Sequence, residues 1–352
     1  MRREYILYFV LSFFAFGCLH AQDAREDSLK SILQNARHDT DRVLAWNELA
    51  GISWKKSEYE EALSYAAKAK ELSEKAGFKK GLAKALHVMG LVHMYQGNYE
   101  EAQKNNLAAL ALRIEMNDKA GLSSSYNSIG NVYQYQGNYP AALKNHLEAL
   151  SIREKSGDKI TISQSYNNIG NVYYSQGDLN QALSYYQNGL KTKIAAGSKT
   201  GIASSYNNIG LIYYEQEEYD EALKNYMASI PIEIEMNDML NLAISYNNVA
   251  RVKLIRREYD QALEYNLKAL KLQEEMGDKY GIARSYAALG NTYKGLKKYG
   301  ESLQWSKKAL ELGKEIGAYD FIFEASKTLS ELCESKGDYK EALTYYKDFI
   351  AA

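Results

Sequence analysis

The chain has 352 residues, of which 46% are hydrophobic and 25% are charged, and its formal net charge is −1. This composition is typical of a folded protein. The balanced charge gives no overall electrostatic basis for binding nucleic acid or an anionic membrane.

The first 21 residues differ from the rest of the chain. Arg2 and Arg3 precede an uncharged, mostly apolar run from Tyr5 to Leu19, and Ala21 could stand just before a cleavage site. Because this run is short for a membrane span, the pattern predicts a secretory signal peptide over residues 1–21. Lipid attachment to Cys18, or an uncleaved N-terminal membrane anchor, are the alternatives. We therefore expect an exported protein, periplasmic or associated with the cell envelope.

Residues 22–40 predict one short amphipathic helix, with Leu29, Ile32 and Leu33 on its apolar face. Repeat proteins need a capping element at an open end. We interpret this segment as a cap on the first repeat.

Residues 41–352 contain eight copies of one pattern, and the last copy is truncated. Each copy has a small residue at a fixed place in its first predicted helix, which we name the small-residue position. These positions are 40 residues apart without insertion or deletion: Ala50, Gly90, Gly130, Gly170, Gly210, Ala250, Gly290 and Ser330. A fixed period of this length predicts a stacked repeat architecture.

Each copy consists of two predicted helices joined by short turns. In the fifth copy, apolar or small residues recur with helical spacing at Tyr206, Ile209, Gly210 and Tyr213, and again at Tyr219, Ala222, Leu223, Tyr226 and Ile230. A glycine such as Gly157 or Gly277 follows the second helix and suits a left-handed position that ends a helix.

These residues resemble the tetratricopeptide repeat, whose pattern is W-x2-L-G-x2-Y…A-x3-F…P with a usual period of 34. Tyr206, Gly210, Tyr213, Ala222 and Tyr226 match it; the longer period and the scarcity of proline depart from it. The 40-residue form is most similar to repeats of Pins-type spindle-orientation adaptors and kinesin light chains. The resemblance implies an all-α fold, a right-handed α-solenoid of helix-turn-helix repeats.

Asparagine recurs on the face of the first helices that the core pattern leaves over. Asparagine is a below-average helix former, so its recurrence within helices needs a reason. In tetratricopeptide superhelices the corresponding face lines a groove, and the resemblance implies pairing of these amides with an extended peptide. Hydrogen bonding between repeats, or simple copying of the repeat, are the alternatives. The candidate peptide-binding asparagines are Asn127, Asn131, Asn167, Asn168, Asn171, Asn207, Asn208, Asn247, Asn248 and Asn291.

Basic residues join this face toward the C-terminus. Arg251, Arg284 and Lys294 replace polar residues, and Glu324 and Glu331 follow in the last repeat. The basic residues could hold a carboxylate of a ligand. A solvated face with mutually neutralising pairs is the alternative.

No motif of a phosphate-binding loop, a zinc protease or a serine hydrolase occurs in the sequence. His87 and His93 are six residues apart, unlike a metal-binding pair, and His146 stands where other copies have Tyr or Asn. Cys333 replaces a core tyrosine, which predicts a packed thiol. We expect no catalytic residue, no metal site and no cofactor.

The last predicted helix begins near Lys340 and is shorter than its equivalents. Leu343, Tyr346 and Ile350 then have no following helix to cover them. We expect either a longer natural chain or a partner at this end.

Two functions from different classes are open. The first is a non-enzymatic scaffold that binds a protein or an extended peptide. The second is the sensory N-terminal region of a bacterial signal-transduction protein, whose output domain, a histidine kinase or similar, would follow residue 352. A cytoplasmic peptide-pheromone sensor would also use such repeats, but the predicted signal peptide and the lack of a helix-turn-helix domain argue against it.

Overall fold

The computed structural model describes residues 25–351, and this part of the chain consists of α-helices joined by short turns. The predicted signal peptide, including Cys18, lies outside it. Seventeen helices occur between residues 25 and 351: α1 (25–35), α2 (Asp39–Lys55), α3 (Tyr59–Lys75), α4 (Lys79–Tyr95), α5 (Tyr99–Glu115), α6 (Lys119–Tyr135), α7 (Tyr139–Ser156), α8 (Lys159–Ser175), α9 (Leu179–Ala196), α10 (Lys199–Glu215), α11 (Tyr219–Met236), α12 (Met239–Ile255), α13 (Tyr259–Met276), α14 (Lys279–Gly295), α15 (Tyr299–Ile316), α16 (Tyr319–Ser335) and α17 (Tyr339–Ala351).

The helix ends have local causes. Gly157 and Gly277 follow α7 and α13 in the left-handed conformation, with φ of 74° and 67°, which confirms the predicted glycine stops. At the start of α14, the Asp278 carboxylate accepts a hydrogen bond from the Gly281 backbone N–H at 3.0 Å. These signals explain why the helices begin and end in phase with the 40-residue period.

The small-residue positions let the two helices of a repeat approach closely. A Cβ added at Gly210 would lie 2.7 Å from the ring of Tyr226, and one at Gly130 would lie 2.7 Å from the imidazole of His146. In the first repeat the small-residue position is Ala50, and the residue that faces it is the small Ala66. Both are buried in one cluster. In these three repeats, the larger facing side chains accompany glycine, and the small Ala66 accompanies alanine.

The chain divides into two compact units, with a boundary between residues 172 and 173 near the end of α8. In unit 1 (up to residue 172), Leu29 of α1 packs against Ala45 and Leu49 of α2. The helix at 25–35 thus covers the start of the first repeat. No helix within residues 25–351 combines the length and apolarity needed to cross a membrane.

Unit 2 (from residue 173) has its largest core cluster around Tyr226, Val249 and Val252. Cys333 is buried, in agreement with the prediction of a packed thiol. Leu343 and Ile350 of α17 are exposed. The all-α solenoid of helix-turn-helix repeats that the sequence predicts is the observed fold.

Candidate functional site

Two asparagines at equivalent places in successive repeats of unit 2, Asn207 and Asn247, contact neighbouring repeats. The Asn207 amide donates to Glu233 Oε1 at 2.9 Å and to Ser245 Oγ at 2.8 Å, in the second helix of its own repeat and the first helix of the next. Asn247 Oδ1 lies 3.3 Å from Ser285 Oγ, again one repeat further. The sequence left open whether these asparagines bind a peptide or form hydrogen bonds between repeats. Asn207 forms hydrogen bonds between repeats.

In unit 1 the candidate asparagines also meet one another. Asn168 Nδ2 donates to Asn127 Oδ1 at 2.5 Å. Asn167 Oδ1 is buried without a hydrogen-bond partner. Asn131 is half-buried, whereas Asn171 is exposed.

A buried row of ionisable residues on the second helices was missed from the sequence. In unit 2, Lys193 Nζ donates to Ser205 Oγ at 2.8 Å, and Glu233 Oε1 accepts from Ser245 Oγ at 2.9 Å. Burial lowers the pKa of Lys193 to about 8 and raises the pKa of Glu233. Alignment of the repeats could have revealed this row, because successive copies have a charged residue followed twelve positions later by a serine.

A cavity of about 860 Å³ lies in unit 2, between the first helices α10, α12, α14 and α16. Five of the thirteen candidate residues line it: Asn247, Asn248, Arg251, Arg284 and Asn291. The other candidates are not among the lining residues: Asn127, Asn131, Asn167, Asn168, Asn171, Asn207, Asn208 and Lys294. The structure thus brings together one part of the predicted face.

Two arginines dominate the electrostatics of this cavity. The Arg251 guanidinium lies 3.7 Å from the ring centroid of Tyr214, and that of Arg284 lies 5.5 Å from Tyr280. Within residues 25–351 neither arginine has a carboxylate at ion-pair distance, whereas Lys294 is paired with Glu331 at 2.6 Å. The predicted neutralising pairs therefore apply to Lys294 and leave the two arginines available.

Glu324 of α16 faces the same cavity. Burial and the nearby Asp320 raise the pKa of its carboxyl, whereas Arg251 and Arg284 oppose this rise. The arginines thus act on a carboxyl group from another repeat, and the site can accommodate a carboxylate near them.

The aromatic part of the cavity was also missed from the sequence. Tyr280, Tyr319, Phe321 and Phe323 line it beside Tyr214. Tyr280 and Phe321 form an edge-on pair with ring centroids 4.8 Å apart. The sequence did contain a signal for it. Helix α16, the first helix of the last repeat, begins with the aromatic-rich segment YDFIF, which no other copy contains.

No group of three or more His, Cys, Asp or Glu residues suited to a metal ion occurs in the part of the chain that the structure describes. The cavity offers amides, guanidinium groups and aromatic rings. These groups bind polar and acidic segments.

The repeat family follows from sequence comparison. The tetratricopeptide repeat family matches overlapping segments that together cover residues 41–352: 41–115, 81–155, 121–195, 161–233, 201–275, 241–315 and 281–352. The chain therefore belongs to the tetratricopeptide repeat family. No curated protein matched the chain.

Solved structures show the same fold at low sequence identity. The apo form of the quorum sensor NprR from B. thuringiensis is 17% identical, with 99% of each chain covered and a TM-score of 0.71. The Rap conjugation gene regulator of plasmid pLS20, in complex with the Phr* peptide, is 15% identical over 94% of each chain, with a TM-score of 0.59. A STAND signal-transduction ATPase with a tetratricopeptide repeat sensor, from Pyrococcus horikoshii, is 15% identical over 94% of this chain and 52% of that one, with a TM-score of 0.69.

Proposed function

We propose that this protein is a non-enzymatic scaffold that binds an extended, acidic peptide segment in the unit 2 cavity. The observation that carries this proposal is the pair Arg251 and Arg284, which face one cavity without ion-pair partners among residues 25–351. Unpaired guanidinium groups in a partly desolvated cavity favour a ligand carboxylate, since charge-assisted hydrogen bonds are stronger than neutral ones.

The rest of the cavity suits the remainder of such a segment. Asn248 has no hydrogen-bond partner within the described residues, so its amide can pair with a peptide N–H or C=O. Phe323 and Tyr319 are exposed and can contact apolar side chains of the segment. Asn207 is assigned to packing between repeats and not to the peptide, because its amide is bonded to Glu233 and Ser245.

Solved structures with the same fold support a peptide as the ligand. The Rap regulator of pLS20 is bound to the Phr* peptide, and another Rap protein of the same fold is complexed with Competence and Sporulation Factor. The sensory alternative uses the same cavity and adds an output domain, an arrangement for which the STAND protein with its repeat sensor is a precedent. Export to the cell envelope, by signal peptide or by lipid on Cys18, is part of the proposal.

The test measures binding of the full chain to fluorescein-labelled octapeptide pools that differ only in a central Glu, Gln or Lys. We expect the Glu pool to bind best. The double variant Arg251→Met with Arg284→Met should bind that pool at least about tenfold more weakly, because two charge-assisted contacts are lost. Fluorescence anisotropy measures the affinities.

Lys271→Met is the matched control, since Lys271 is an exposed cation of α13 outside the cavity. It should bind the Glu pool like the wild type. Binding of no pool would overturn the scaffold function, and equal binding of the Glu and Gln pools would overturn the role of the arginines.

A further inference from the structure

The last repeat brings two carboxylates to the unit 2 cavity. Asp320 and Glu324, both in α16, line it together with Arg251 of α12 and Arg284 of α14. No other copy of the repeat has an acidic residue at either of these two places, and the preceding copy has Tyr280 and Arg284 there. The acidic wall is therefore a property of this cavity and not of the repeat.

The four charged groups share the cavity without forming ion pairs. Within residues 25–351 neither Asp320 nor Glu324 has a cation at ion-pair distance, and the same holds for the two arginines. The charges of the cavity thus sum to zero without any of them being neutralised directly.

The helices α15 and α17 also pack against α16, but their charges are used elsewhere. Lys307 pairs with Glu341 at 3.3 Å, and Lys314 pairs with Asp348 at 2.7 Å. The charged groups that act on Glu324 are therefore those of the cavity walls and of α16 itself.

Glu324 is the carboxyl group on which the local repulsion acts. Asp320 precedes it by one helical turn, a spacing at which like charges are unfavourable. Asp320 lies in the first turn of α16, where the helix dipole favours a negative charge, whereas Glu324 lies beyond that turn. Burial raises the pKa of the Glu324 carboxyl above 4.5 and Asp320 adds to the rise, while Arg251, Arg284 and Lys327 oppose it.

The charge of Glu324 also reaches the far wall of the cavity. Burial raises the pKa of Tyr214 in α10; Arg251, which lies 3.7 Å from the ring centroid, opposes this rise, and Glu324 is among the carboxylates that add to it. By its surface area Glu324 remains exposed, although many protein atoms surround its carboxyl group. It can therefore exchange a proton with solvent while it responds to the charges of the cavity.

A ligand carboxylate would add a third negative charge to this balanced set. Its repulsion from Glu324 is stronger than in bulk water, because a partly enclosed cavity screens charges less effectively. Protonation of Glu324 removes this repulsion and leaves the arginines to the ligand. The neutral carboxyl group can also donate a hydrogen bond, which the carboxylate cannot.

We propose that Glu324 regulates the cavity: its carboxylate competes with the ligand carboxylate for Arg251 and Arg284, so that binding is coupled to the uptake of one proton at Glu324. This inference rests on the proposed function, because it concerns the regulation of the same site. The pKa of Glu324 is then higher in the complex than in the free protein. The affinity is low above both pKa values, rises as the pH falls between them, and levels off below the value of the free protein.

The experiment measures binding of the full chain to two octapeptide pools by fluorescence anisotropy at pH 5.5 and pH 7.5. One pool has a central Glu and the other a central homocysteic acid, whose sulfonate stays ionised over this range. Both carry tetramethylrhodamine, which does not titrate there. We expect the wild type to bind both pools about tenfold more tightly at pH 5.5, within the limit of about tenfold per pH unit that the uptake of one proton sets.

Glu324→Gln removes the charge and keeps the size of the side chain. We expect this variant to bind both pools about tenfold more tightly than the wild type at pH 7.5, and equally at the two pH values, because no carboxylate competes. Glu334→Gln is the matched control, since Glu334 is an exposed carboxylate of the same helix outside the cavity. It should keep the affinity and the pH dependence of the wild type. Thermal melts of both variants at the two pH values check folding.

The outcomes separate the two proposals. If the wild type binds neither pool at either pH, the proposed function fails and this inference fails with it. If the pools bind but the wild type shows no gain at pH 5.5, or Glu324→Gln binds no more tightly than the wild type at pH 7.5, the scaffold function stands and the role of Glu324 is overturned. A pH dependence that persists in Glu324→Gln, or that occurs with the Glu pool alone, would assign the proton to another group and would also overturn that role.

Discussion

At the scale of single residues, the molecule is organised by pairs that match in size. Gly90 faces Asn106, and a Cβ added at Gly90 would lie 2.6 Å from Asn106 Oδ1. The first repeat has Ala50 and Ala66 at the same two places, and both are fully buried. A glycine within a helix costs about 1 kcal/mol relative to alanine. At Gly90 the close approach of Asn106 leaves no room for a Cβ.

Gly90→Ala tests this pairing. We expect it to destabilise the protein by about 1–3 kcal/mol through overpacking against Asn106. In combination with Asn106→Ala, which reproduces the pair of the first repeat, the loss should largely disappear. Thermal or urea denaturation of the two single variants and the double variant measures the coupling. Additive effects would contradict the size matching.

Glu233 is a residue whose charge depends on its surroundings. Burial raises the pKa of its carboxyl above the usual 4.5, and the hydrogen bonds from Ser245, Asn207 and Ser229 only oppose this rise. Between the usual and the raised pKa, the unfolded chain has released a proton that the folded protein retains. Stability from this group is therefore fully present below pH 4.5 and is lost as the pH rises through the raised pKa.

Glu233→Gln should remove this pH dependence. The next repeat has Gln273 at this place, where it accepts from Ser285 at 2.6 Å, so glutamine fits the local hydrogen bonding. We expect the variant and the wild type to melt at similar temperatures at pH 4, and the variant to gain relative stability toward pH 7. Calorimetry over this range measures it, with the exposed Glu235→Gln as the control. A constant difference across the range would contradict the buried-charge explanation.

At the scale of helices, the first and second members of each pair have different tasks. The first helices carry the recurring asparagines, and in unit 2 they supply most of the cavity wall. The second helices supply the side chains that face the small-residue positions, such as Tyr226 opposite Gly210. They also supply buried residues, such as Lys193, that bond the next first helix. The helical spacing predicted both kinds of helix, and the turn glycines predicted where second helices such as α7 and α13 end, because these signals act locally.

The same pattern could not show which repeats form a site. Asn127, Asn167 and Asn207 are equivalent in sequence, yet Asn127 pairs with a neighbouring asparagine and Asn207 with Glu233. Their partners come from other helices, at sequence separations that the repeat pattern does not reveal. The sequence therefore predicted a polar face as a whole, and its division into packing residues and cavity residues needed the structure.

At the scale of the whole molecule, the repeats of each unit are linked in chain order. Within a unit, substantial contacts join helices that are neighbours, or next neighbours, along the chain. Stability in such an architecture is approximately a sum of repeat and nearest-neighbour contributions. A local change should then have a local effect. This expectation can be tested without reference to any ligand.

Hydrogen exchange of Gly90→Ala, followed by mass spectrometry, provides that test. We expect faster amide exchange in α4 and α5 and in the adjacent helices of unit 1. Exchange in α13–α16 of unit 2 should stay as in the wild type, because each repeat of such an architecture depends mainly on its nearest neighbours along the chain. Faster exchange across all described helices would instead indicate a single cooperative unit.

The sequence by itself determined the repeat, its period of 40, the paired helices and the small-residue positions, since these depend on patterns within about 40 residues. Only the tertiary structure decided that Arg251, Arg284 and Asn248 share one cavity while Asn207 is used between repeats. The physical reason is that a cavity is formed by side chains from several repeats at once. Its free and occupied hydrogen-bonding atoms are defined only when those repeats are packed together.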